Sequence, residues 1–149
     1  MVEWQGIVIH HSASPRGFWQ GDQWQPIDSE VVRRWHVQER GWSDIGYHYL
    51  VLADGRIELG RPLDRIGAHT QAGRRNFTAL GICLVGNFQY DTVSPEQLSA
   101  AVKLVKKLRQ EYNIQIGKVE LHNQVPGSNT LCPGRFFPKE LFLKLLDSG

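Results

Sequence analysis

The sequence predicts a single α/β domain in which a mixed central β-sheet is flanked by helices. Three observations carry this expectation. ALGICLVGNF (79–88) is a near-continuous apolar run, as expected of a central strand covered on both faces. SPEQLSAAVKLVKKLRQEY (94–112) is polar overall but carries one apolar stripe at helical spacing. Strand-like and helix-like segments alternate through the rest of the chain, without an internal repeat or linker. At 149 residues the chain suits one domain, 1–149, long enough to bury roughly 68–70% of its unfolded surface without a disulfide.

The elements follow in order. Ile7, Val8 and Ile9 form a short β-branched run that fits a pleated, buried strand, and His10 and His11 end it. A polar, aromatic-dotted loop, SASPRGFWQGDQWQP, comes next. DSEVVRRWHVQERG then reads as a helix: Asp28 can accept the first free backbone N–H groups, Val31 and Trp35 share a face, and Gly41 takes the left-handed stop. YHYLVLADGRIEL reads as a hairpin about Asp54-Gly55. The loop GAHTQAGRRN leads to the central strand. In the long helix Ser94 caps, Pro95 fits the first turn, Gln97 completes a capping box, and Leu98, Val102, Val105 and Leu108 form the stripe. KVELH is a short strand, NQVPGSNTLCPG a long loop, and PKELFLKLLD a last helix.

Charge and composition exclude some functions. A formal charge of +2 is only mildly basic and lacks the clustered Lys and Arg of nucleic-acid binders, so no nucleic-acid partner is expected. No segment approaches the ~18 apolar residues of a membrane span, and MVEWQG lacks the regions of a signal peptide. The expectation is cytoplasmic synthesis, no membrane insertion, a monomer, and two cysteines, Cys83 and Cys132, that stay reduced.

Long irregular loops in compact domains are usually functional, and the loop after Leu121 begins with His122 and ends with Cys132. His10, His122 and Cys132 could hold Zn²⁺ and leave a fourth position open, which is the catalytic rather than the structural pattern. Two other readings stand beside this one. Cys132 could be a thiolate nucleophile with His122 as its base, or these residues could have unrelated packing roles. Spacing alone leaves all three open.

The blocks IVIHHSAS, RRWHVQERGWSDIGYHYLV, DGRIELGRP, GAHT, LGICLVGNF and LH…LCPG occur in one order. In that order the chain resembles the zinc N-acetylmuramoyl-L-alanine amidases, the family of amidase-type phage lysozymes and animal peptidoglycan recognition proteins. The likeness spans roughly residues 5 to 140. It implies one zinc ion held by His10, His122 and Cys132, with Tyr47 of GYH and Thr130, two residues before the cysteine, in the active site. It also implies the reaction: hydrolysis of the amide between N-acetylmuramic acid and L-alanine, with peptidoglycan or muropeptide as the partner. Zinc would acidify water and polarise the carbonyl, while Tyr47 and Thr130 stabilise the oxyanion.

Two departures from the family stand out. The segment from His122 to Cys132 is somewhat longer than in the phage members, and Thr130 is uncharged where some members carry Lys. Other relatives have Glu where Cys83 stands; Cys83 is read here as a small hydrophobe and left outside the site. His69, in GAHT, is expected to bind substrate, and His36 to reach the groove. His11, opposite His10 on the strand, and His48 are expected to be structural. Trp19 and Trp24 form either a local core or a wall contact. Some recognition-protein relatives bind peptidoglycan without cleaving it, and they lack the zinc cysteine. Some phage relatives bind a polymerase, which the residues neither support nor exclude. With no export signal or wall-binding domain in view, a lysis enzyme released through a membrane pore fits best, and a muropeptide-recycling enzyme is the alternative.

Overall fold

The computed structural model describes residues 2–148. β1 (Gly6–His11), β4 (Tyr49–Val51), β6 (Ala79–Leu84) and β7 (Val119–Leu121) run parallel, and β5 (Ile57–Leu59) closes one edge antiparallel to β4. The sheet order is β5-β4-β6-β1-β7. The mixed sheet flanked by helices is therefore as expected, with the apolar run 79–84 in its centre and every residue of it buried.

Strand parity divides the sheet into two faces with different tasks. Ile7, Ile9, Leu80, Ile82, Leu84 and Val51 face α3 (Pro95–Tyr112) and α4 (Lys139–Asp147), where Leu98, Val102, Val105, Leu108 and Phe142 complete the main core. Full burial of each such side chain contributes about 1.5–3 kcal/mol, so this face holds the sheet. On the other face Leu50, Leu52 and Cys83 meet Ile27, Val32 and Ile45, while Val8 packs with Val125. His10 belongs to this second, less apolar face.

Local signals are obeyed at most boundaries. The Asp28 carboxylate accepts from Val31 N at 3.1 Å and starts α1 (Ser29–Arg34). Gly41 and Gly55 both take positive φ, 73° and 89°, at the helix stop and in the β4–β5 hairpin.

Three expectations are corrected. The helix from Asp28 stays α-helical only to Arg34 and widens over Trp35–Glu39 to wider turns, with Arg40 N donating to Trp35 O at 3.2 Å. The loop SASPRGFWQGDQWQP contains a hairpin, β2 (Gly17–Gln20) and β3 (Gln23–Pro26), with Trp19 opposite Trp24. Gln97 does not complete a capping box. Ser94 Oγ accepts from Gln97 N at 3.2 Å, but the Gln97 amide turns inward and donates to Val51 O and Val85 O, each at 3.0 Å. Val51 O also accepts from Val85 N at 2.9 Å, whereas Val85 O, just past the end of β6, takes its donor from Gln97.

Candidate metal centre and active site

The site assembles where the parallel strands β1 and β7 end, the place where open α/β sheets carry their ligands. His10 leaves the carboxyl end of β1 and His122 follows β7 directly. Their rings are 4.6 Å apart between centroids. Cys132 arrives from the long loop, its Sγ 3.7 Å from His10 Nδ1 and 3.3 Å from the His11 backbone N–H that donates to it. The Cys-Pro-Gly turn can lie this close because Gly134, at φ 103°, presses on the Phe88 backbone where any Cβ would overlap. Asn123 N donates to Cys132 O at 2.9 Å and pins the two ends of the loop together.

One nitrogen or sulfur atom from each of His10, His122 and Cys132 lies within 4.8 Å of the others. The donors suit a borderline-soft cation such as zinc: two imidazoles and one sulfur. A second observation fits a missing partner: buried His122 Nδ1 has no hydrogen-bond partner among the described residues. Burial, then the neighbouring His69, His122 and His11, holds His10 well below its usual pKa, and burial lowers His122 too. Both rings are thus neutral near pH 7 and offer lone pairs. Burial also pushes the Cys132 thiol up to about 12.

The other expected residues surround this cluster. The Tyr47 ring lies 5.2 Å from that of His10, and burial, followed by Cys83 and Cys132, raises its pKa well above the usual value. It stays a hydrogen-bond donor at neutral pH. Thr130 is half-buried, and its Oγ1 accepts from Cys132 N at 3.1 Å, which leaves its O–H to donate. His11 faces the helices and its Nδ1 accepts from Phe88 N at 3.1 Å. His48 Nδ1 accepts from Gly81 N and its Nε2 donates to Arg65 O, so both its nitrogens serve the fold.

Two placements depart from expectation. His36 is only 4% exposed, its Nδ1 accepts from Gly46 N at 2.9 Å, and its ring packs 5.5 Å from Tyr47. It stands behind Tyr47 rather than in the groove, because the widened helical turn carries it inward. His69 lines the groove, but Ala79 O and the His10–Thr70 pair take up both of its ring nitrogens. Cys83, read from sequence as a small hydrophobe, is fully buried in the apolar cluster against which Tyr47 packs, beside His10 in register across β1 and β6.

A groove of about 640 Å³ opens beside His122 and is walled by Trp42, Arg61, His69, Gln71 and Ser128. The Ser128 hydroxyl there is buried and has no partner among the described residues. The GAHT loop that forms one wall is tied down by Asn76, whose Oδ1 accepts from both His69 N and Thr70 N at 2.7 Å. Arg75, the first residue of α2 (Arg75–Thr78), then fastens this segment to β7 through a two-pronged contact with Glu120, 2.7 and 3.1 Å.

Comparison with known proteins gives the family and the fold. The family model for N-acetylmuramoyl-L-alanine amidase matches residues 2–135. The N-acetylmuramoyl-L-alanine amidase LysC from Clostridium intestinale superposes with a TM-score of 0.82 at 32% identity, covering 99% of this chain and 88% of that one. The endolysin of Escherichia phage T7 is 32% identical over 132 residues, 85% of this chain and 78% of its own. Peptidoglycan-recognition protein SC1a of Drosophila melanogaster is 33% identical over 135 residues, 90% of this chain and 70% of its own. The chain belongs to the N-acetylmuramoyl-L-alanine amidase family.

Proposed function

We infer that this protein is a zinc-dependent hydrolase of the lactyl amide between N-acetylmuramic acid and L-alanine in peptidoglycan. The observation that carries this reading is the convergence of His10, His122 and Cys132 at the strand ends, beside a groove. Zinc in such an open three-ligand site supplies Lewis acidity and an acidified water. Tyr47, held protonated by burial, is assigned to donate to the carbonyl oxygen as it gains charge, with Thr130 as a weaker, uncharged second donor. Tyr47 can also pass a proton toward the departing amine. The groove beside His122, with the free Ser128 hydroxyl and the Arg61 side chain in its wall, is the place for the stem peptide.

The thiol alternative fits less well. A Cys132 thiol pushed up to about 12 by burial is not a thiolate at neutral pH unless a cation compensates. Binding without cleavage is disfavoured because the cysteine, both histidines and Tyr47 are present together. Mass spectrometry of purified peptidoglycan after digestion tests the reading. It is expected to show stem peptides with a free L-alanine amino terminus and glycans with an intact lactyl carboxylate. New reducing ends, cuts within the peptide, or binding without release would overturn it.

A further inference from the structure

We propose that His69 is a positioning residue that sets which nitrogen of His10 is free for the metal. The inference rests on the zinc reading above. His69 Nε2 is 3.0 Å from Ala79 O, and a carbonyl can only accept, so this nitrogen carries the proton. In the neutral ring Nδ1 is then an acceptor. It lies 3.0 Å from His10 Nε2. Two lone pairs would repel at that distance, so His10 Nε2 must be the N–H that donates. That leaves His10 Nδ1 without a proton, and Nδ1 is the atom 3.7 Å from Cys132 Sγ. The chain therefore runs from Ala79 O through His69 and His10 to the metal position. Thr70 Oγ1, buried and 3.0 and 3.3 Å from the two ring nitrogens, can share the same His10 N–H.

The fold makes room for this ring specifically. A Cβ on Gly67 or on Gly81 would overlap the His69 ring, so a residue of the central strand and one of the loop are both glycine where the imidazole sits. Asn76 holds the backbone of His69 and Thr70 in register with it. A partner that orients a ligand imidazole typically changes metal affinity by about 10–100-fold when removed.

Two-bond ¹H–¹⁵N spectra of the metal-free wild-type protein read the His10 tautomer directly, with no variant needed. The expected form has Nε2 protonated and Nδ1 bare; an Nδ1-protonated ring would overturn the proposal. Zinc affinity, measured by chelator competition, is expected to fall about 10–100-fold in His69→Phe and to recover in part in His69→Gln, whose carbonyl can accept. An unchanged affinity in His69→Phe would also overturn it. Failure of the wild-type protein to bind zinc at all would instead count against the metal reading, and the tautomer measurement would still decide the His69–His10 bond.

Discussion

At the residue scale the site depends on a few atoms whose alternatives are chemically poor. Cys132 Sγ receives the His11 N–H and faces His10 Nδ1, so oxygen in its place keeps the shape but loses the soft donor. Cys132→Ser is expected to lose zinc and turnover while the metal-free protein melts as before. Full activity in that variant would refute the ligand assignment. Tyr47→Phe removes one donor from the developing oxyanion and should lower kcat by about 10²–10³ with zinc content unchanged. Zinc analysis alongside steady-state rates separates the two effects. His10 and His11 show how far parity reasoning reaches: adjacent on one strand, one faces His122 and Cys132 and the other accepts from Phe88 N on the helix face. The same parity puts Cys83 on the face of His10, buried among apolar side chains. Within a fully apolar run the alternating face is invisible, yet Cys83 pairs in register with His10 and sits in the cluster against which Tyr47 packs.

At the element scale the strands and long helices were legible because each has a buried face and clear end signals. The β2–β3 hairpin was not, since both of its faces are largely exposed and no apolar alternation marks them. Its readable signal was Gly21-Asp22 between FWQ and QWQ, a two-residue turn with Gly21 at φ 65°. The inward turn of His36 depends on the widened helical segment after Arg34, which no local pattern announces. Gln97 likewise reads as a helix-capping residue until the sheet is in place. Its amide ties α3 to the ends of β4 and β6, so Gln97→Ala strands the Val85 carbonyl, while Val51 O keeps the Val85 N–H. Chemical denaturation is expected to show a loss of about 1–3 kcal/mol, the cost of one unsatisfied buried group. Zinc affinity should hold, because Gln97 lies on the helix side of the sheet.

At the scale of the whole molecule, one face of the sheet supplies stability and the other supplies chemistry. The cost is a set of buried neutral imidazoles, with His11 on the helix face and the others on the second face. Burial lowers His11, His36 and His48 to about 4 and His69 to about 3. Unfolded, each would titrate near 6.5. Below that value the unfolded chain binds protons the folded chain refuses, so their contribution is complete above pH 6.5 and is lost as pH falls toward 4. Urea unfolding of the metal-free protein should show stability dropping through that window, by up to about 1.4 kcal/mol per pH unit for each imidazole. A flat profile from pH 6.5 to 4.5 would contradict this.

The convergence of two imidazoles and one sulfur matters only if the metal they would hold is needed for amide cleavage. Stem-peptide release from purified peptidoglycan, followed in metal-stripped protein and again during zinc titration, tests that most directly. The stripped protein is expected to be inactive and to regain full rate at one zinc per chain. Undiminished release by the stripped protein would contradict the zinc assignment.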